Sequence, residues 1–252
     1  MKRFLRMALI FSLLSTMTGC FYWWRAYQTY QQMDEFDKYF AITTDKGFTV
    51  HFKDPIMLSD DFVQLAKLRP SKEYDTPEGK VFHYLFRKID SNGNIVKPEV
   101  SFYFDLTFND EDRVKSWTFS PLFLQIAPPE FLEMSFRSLG AADINTEAKQ
   151  LKVDTSKLKK TDAKLPLKSV VVKNLGEPLS IENREDSEVY LYHFRLEAYD
   201  IEEGYEDRAL SRLKLTFDKK TQEMIKMSGR FAGLKISINY RNYQKRQLAK
   251  KE

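Results

Sequence analysis

The sequence predicts an α+β fold: two repeated units, each with helices packed on an antiparallel sheet of three to four strands. Three observations predict it. Val81-Phe-His-Tyr-Leu-Phe-Arg87 and Val189-Tyr-Leu-Tyr-His-Phe-Arg195 share Val, Tyr, Phe and Arg at identical spacing. Pro70 and Pro178 lie eleven residues before the two valines, and Leu106-Thr-Phe-Asn109 and Leu215-Thr-Phe-Asp218 follow 19 and 20 residues after the arginines. Matches at an offset of 108 to 109 residues read as an internal duplication. Finally, apolar and polar residues alternate through both copies, the habit of sheets with one buried and one wet face.

The chain starts with the basic MKRFLR, continues through an uncharged stretch at 7–14 and ends that segment with small and polar residues. That is the order of an export signal. Met17-Thr18-Gly19-Cys20 resembles the bacterial lipobox. The resemblance implies removal of residues 1–19 and acyl chains on Cys20, the only cysteine. Those chains would anchor the protein to a membrane. Phe21 stands where an aspartate commonly retains such lipoproteins in the inner membrane, which implies the outer membrane, periplasmic face. The alternative is an uncleaved inner-membrane anchor at 7–24, a stretch of 18 residues without a charge. With acyl chains on Cys20, Phe21, Tyr22, Trp23 and Trp24 fall at headgroup level, where amphipathic rings are favoured; in the uncleaved anchor Trp23 and Trp24 sit at the far interface.

Signal removal changes the charge. Losing Lys2, Arg3 and Arg6 takes 40 basic residues to 37 against 36 acidic, a net of +1. That removes the support for a nucleic-acid partner. With Cys20 acylated no disulfide can form, so stability rests on a core supplied by 20 Phe and 13 Tyr.

A membrane-proximal tether is assigned to 20–44 and the first unit to 45–127. Residues 47–52 read as a strand. Ser59-Asp60-Asp61 can cap a helix over 62–68. The strand after it puts Phe82, Tyr84 and Phe86 on one face, and the next puts Phe102, Phe104, Leu106 and Phe108 inward. The turn Asn109-Asp110-Glu111-Asp112 leads to a strand over 114–119. Residues 128–148 connect the units, with a helix opened by Pro128-Pro129, closed by Gly140 and striped by Leu132, Phe136 and Leu139.

The second unit, 149–243, has a helix over 165–175 ended by Gly176. Its strands place Tyr190, Tyr192 and Phe194, then Leu213, Leu215 and Phe217, on the buried face. Strands at 224–227 and 234–240 complete it. A basic tail occupies 244–252, either touching anionic headgroups or simply solvated. In this unit Ser156-Lys-Leu-Lys-Lys-Thr, Val170-Val-Val-Lys-Asn-Leu-Gly-Glu-Pro178, Tyr192-His-Phe and Leu215-Thr-Phe-Asp218 resemble the SmpA/OmlA domain of BamE-like outer-membrane lipoproteins. The same unit occurs in tandem in β-lactamase inhibitor proteins. The resemblance implies helices on a small antiparallel sheet and a place in envelope assembly.

No catalytic, cofactor or metal constellation is present. There is no Gly-x-Ser-x-Gly elbow and no Gly-rich loop opening a helix. Asp90-Ser-Asn-Gly-Asn94 begins like a calcium loop, but Ile95 and Ser101 stand where glycine and glutamate are required, so it reads as a hairpin turn. His83 and His193 share a strand face with Arg87 and Arg195, the one repeated polar arrangement. These four are the candidate interaction residues, with a structural pairing, such as Arg87 with Asp105, as the alternative. The expected function is an outer-membrane lipoprotein whose periplasmic body binds an envelope protein without catalysis. The alternative is a binder of lipid or a small ligand in an aromatic groove between the units.

Overall fold

The computed structural model describes residues 21–45, 47–139, 142–145, 150–153, 160–199, 201–231 and 234–244. The signal peptide, Cys20 and the tail beyond Gln244 lie outside the described residues.

Helix α1 spans Phe21–Gln32 and α2 spans Phe36–Tyr39. They lead into strands β1 (Phe40–Thr43) and β2 (Phe48–Phe52). The segment read as a tether therefore holds two helices and an edge strand. Helix α3 (Ser59–Ala66) starts one turn earlier than expected. Of its acidic residues Asp61 makes the cap, accepting from the backbone N–H of Leu58 at 2.8 Å. Lys67, at φ 58°, ends the helix in the left-handed region.

Strands β3 (Lys72–Thr76), β4 (Gly79–Ile89), β5 (Ser101–Phe108) and β6 (Val114–Phe119) follow. Next come α4 (Pro129–Ser138) and a separate hairpin of β7 (Ala142–Asn145) and β8 (Gln150–Val153). Helix α5 (Lys168–Leu175) precedes β9 (Ser180–Asn183), β10 (Ser187–Leu196), β11 (Leu210–Asp218), β12 (Met224–Phe231) and β13 (Leu234–Asn239).

The expected pair of helix-on-sheet units is corrected here. Eleven strands form one antiparallel sheet in the order β1-β2-β6-β5-β4-β10-β11-β12-β13, with β3 on β4 and β9 on β10. The reason lies in the lengths of the edge strands. β3 covers β4 only over residues 79–83, and β9 covers β10 only over 188–191. That leaves the far half of each long strand with free backbone donors and acceptors, and such an edge seeks a partner. The two halves satisfy each other. Arg87 faces Arg195, Phe86 faces Leu196 and Lys88 faces Phe194. Beyond them the Glu197 N–H donates to the Leu85 carbonyl at 2.9 Å. The offset of 108 residues thus appears as a local two-fold register along one seam.

The sheet curls around its inner face. Phe231 of β12 lies 5.6 and 6.0 Å from Phe102 and Phe104 of β5, four strands away in the sheet order. Phe102 also meets Phe194 across the seam at 4.8 Å. Helix α4 closes the curl from inside. Its Phe136 stacks on Phe48 at 6.0 Å and its Phe131 meets Tyr240, just past β13, at 5.1 Å. One core results, and at about 25 cal/mol per Å² of apolar surface its ring stack is the main stabilising term. The anticipated inward residues are all in it: Phe82, Tyr84, Phe86, Phe102, Phe104, Leu106, Phe108, Tyr190, Tyr192, Phe194, Leu213, Leu215 and Phe217.

A lysine amine also enters this core. Lys88 is 7% exposed. Its amine donates to the carbonyls of Leu175 and Glu177, both at 2.6 Å, at the C-terminal end of α5 where a cation is favoured. The Tyr192 hydroxyl donates to the intervening Gly176 carbonyl at 3.1 Å.

Candidate interaction face

Because the long strands β4, β5, β10, β11 and β12 bury alternate residues, their other halves make one continuous outer face. The arginines stand at its centre, side by side across the seam. Arg87 Nη2 lies 2.8 Å from Glu197 Oε2, while its Nε is 3.4 Å from Glu99 Oε1 without hydrogen-bond geometry. Arg195 donates to the Gly93 carbonyl of the β4–β5 loop. That loop is the expected turn: the Asp90 carboxylate accepts from the N–H groups of Asn92 and Asn94 at 2.8 and 2.9 Å.

The histidines take no shared position. His83 Nδ1 lies 2.6 Å from Asp105 Oδ1, so Asp105 serves His83 and leaves Arg87 to the glutamates. His193 faces Ile89 and Arg212. Burial, and then the Arg212 charge, push its pKa below the ordinary histidine value. At the 108-residue offset the counterparts of His83 and His193 are Leu191 and Leu85. The structure thus joins the two arginines, keeps His193 beside Arg195 on β10, and separates His83.

A second feature was visible in the sequence only in fragments. The outward positions of β11 are Arg212, Lys214 and Thr216, those of β12 are Lys226, Ser228 and Arg230, and those of β13 are Lys235, Ser237 and Asn239. Pairing aligns them in rows: Thr216, Lys226 and Asn239; Lys214, Ser228 and Ser237; and Arg230 beside Lys235. Five cations and no carboxylate occupy these nine positions. Alternating Arg and Lys in β11 was the available signal, but a near-zero net charge says nothing about such local segregation.

Two adjoining hollows run over this face. One of about 490 Å³ is lined by Arg184, Lys214, Thr216, Lys226, Ser228 and Arg241, among others. The other, of about 440 Å³, shares Lys214 and Ser228 and reaches Arg212, Arg230 and Lys235. Arg184 and Arg241 are engaged by Glu182, at 2.8 Å, and by Asp218. Backbone donors, led by the Thr221 N–H, and the Arg241 guanidinium hold Asp218 below the usual carboxylate range. Arg230 is 3.9 Å from Asp207. Arg212, Lys214, Lys226 and Lys235 have no ion pair among the described residues.

No group of three or more His, Cys, Asp or Glu among the described residues could hold a metal ion. Among the same residues, no helix is long and apolar enough to cross a membrane. No protein-family model, curated protein or solved structure matches the chain.

Proposed function

We propose that this is a lipid-anchored envelope protein, tethered through Cys20 to the periplasmic face of the outer membrane, whose folded body binds a protein partner without catalysis. The observation that supports it is α1. Phe21, Trp23, Trp24 and Tyr27 are 53%, 51%, 56% and 45% exposed on a helix that directly follows the uncharged N-terminal stretch. That helix is fastened to the body. Arg25 Nη2 lies 2.5 Å from Asp61 Oδ1, a carboxylate that is almost wholly buried, and Gln32 donates to the Asp54 carbonyl at 2.9 Å. Rings left in water on a rigid helix next to an anchor are suited to a bilayer interface.

The alternative, a lipid or small-ligand binder with an aromatic groove, has less behind it. Tyr84 and Tyr192 are 4% and 0% exposed, and neither lines the two hollows of the outer face. Palmitate labelling of wild type and Cys20→Ser tests the anchor. Label should vanish in the variant and the wild-type mature chain should lack Met1; label in the variant or a retained Met1 overturns it. Affinity capture from solubilised envelopes tests the second half, where a stable protein partner is expected and co-purifying lipid alone would contradict it.

A further inference from the structure

We propose that the hollow across β11, β12 and β13 is a binding site for a phosphorylated anion carrying two or more negative charges. The inference does not rest on the tether, so loss of the Cys20 reading leaves it intact.

The first argument is the cost of the arrangement. Arg230 and Lys235 are directly opposite in register, and Lys214 and Lys226 are diagonal neighbours on adjacent strands. Like charges in those positions destabilise a sheet. Several cations elsewhere in the protein are paired: Arg25 with Asp61, Lys80 with Asp112, Arg137 with Asp37 and Glu133, and Lys168 with Glu188. Here Lys214 and Lys226 face a concave surface without an ion pair among the described residues. The Arg184 hydrogen bond and, after it, the Lys214 charge do help to hold the Glu182 carboxyl low, and Arg230 lies 3.9 Å from Asp207. An anion seated between Lys214 and Lys226, which line the larger hollow, would turn their contact into part of an attractive set, while Arg230 and Lys235 line the adjoining one.

The donor chemistry narrows the class. Lys214 and Lys226 are compact point charges with three donors each, which can approach a tetrahedral phosphate from any side. The two arginine forks that line this hollow are already engaged by Glu182 and Asp218. Between the lysines stand Thr216, Ser228 and Asn239, all lining the same space. Their hydroxyl and amide groups supply neutral donors for the remaining phosphoryl oxygens. A volume of about 490 Å³ is in the range of small-ligand sites and has room for more than one phosphoryl group. The rim carboxylates of Glu182, Asp218 and Asp207 disfavour an anion placed off-centre.

Titration of the full-length chain in dodecyl maltoside micelles with sodium pyrophosphate tests the site, with backbone amide shifts as the readout. The expected result is saturable shifts confined to β11, β12 and β13. The double variant Lys214→Gln, Lys226→Gln should bind at least tenfold more weakly with a melting temperature equal to or above that of the wild type. Lys72→Gln, on the other half of the sheet, should bind as the wild type does. A second arm replaces pyrophosphate by micelles doped with phosphatidylglycerol. A response there alone identifies a lipid headgroup as the source of the phosphate, and a response to pyrophosphate in undoped micelles identifies a free phosphorylated molecule. Either supports the site. Silence in both arms overturns it, as does equal binding of octaglutamate, which would make the face a dock for an acidic protein segment.

Discussion

The two wings of the sheet share an inner face and differ on the outer one. On the wing of β1, β2, β5 and β6 the outer rows hold Thr43, Thr49, Thr118 and Asp105, then Ala41, His51, Ser116 and Thr107. Hydroxyls there bond across strands: Thr49 to Thr118 at 3.0 Å, and Thr43 to His51 at 2.9 Å. On the wing of β11, β12 and β13 the equivalent rows hold four cations, Lys214, Lys226, Arg230 and Lys235, of which Arg230 alone has an ion pair among the described residues. The inner face is set by ring packing, which tolerates little change. The outer face contributes little to stability and is free to specialise. One wing satisfies itself; the other leaves Arg212, Lys214, Lys226 and Lys235 without an ion pair among the described residues.

The comparison fails at once if the wings do not share a core, and Phe231→Ala tests that. Its ring lies 6.1, 5.6, 6.0 and 5.5 Å from Phe86, Phe102, Phe104 and Phe123, so it belongs to both wings. Truncating a buried phenylalanine costs about 3–5 kcal/mol. Urea unfolding should show that loss, and amide exchange should quicken in β5 and β6 as well as in β11 and β12. Faster exchange in the second wing alone would mean two cores.

Next in size is Gly79→Ala in the β3–β4 turn. A Cβ there would lie 1.8 Å from the Phe108 carbonyl oxygen, and φ is +124°. Backbone cannot yield to that contact, so a loss of about 3 kcal/mol is expected. Gly229 in the second wing is the contrast. Its Cβ would meet the Phe231 ring at 2.9 Å and Leu213 Cδ1 at 3.6 Å, side-chain atoms that yield by small shifts where backbone does not. Gly229→Ala should cost about 1 kcal/mol, read from the same denaturation curves. Equal losses would show that Phe231 is as immovable as backbone.

Much of this was legible in advance, for a definite reason. Two-residue alternation fixes which side of a strand is buried without knowing its neighbours, so Phe82 to Phe86 and Leu213 to Phe217 were placed correctly. It does not say which strand lies alongside. The β4–β10 seam joins residues 108 apart, and a strand pairing at an edge has the same alternation as one pairing inside. The four residues of β1 carry too short a pattern to stand out from a tether. The basic face had a subtler obstacle: Lys226 and Arg230 join Lys214 and Lys235 only through the pairings of β12, whose far end was unread.

The seam itself can be probed with Lys88→Met, which keeps the chain length and removes the donor to two carbonyls. Stranding the Leu175 and Glu177 oxygens should cost about 2 kcal/mol. Amide exchange at the end of α5 should rise with it. Unchanged exchange there would mean that the lysine does not hold the helix to the sheet.

The smallest effect concerns His193, where the basic wing meets the seam. Burial first, and then the positive charge of Arg212, lower its pKa from the ordinary value near 6.5. The unfolded chain therefore takes up this proton before the folded one does. By linkage, its contribution to stability is intact above about pH 6.5 and is lost as pH falls through the lower folded midpoint. An imidazole titration by NMR should give a midpoint below 6.5, and Arg212→Ala should move it upward by removing the like charge while burial stays. An unmoved midpoint would mean that solvent screens the arginine from the histidine. The unpaired cations of this wing would then act on a neighbour in the same strand pair more weakly than their spacing suggests, and the repulsion ascribed to Lys214, Lys226, Arg230 and Lys235 would have to be reduced with it.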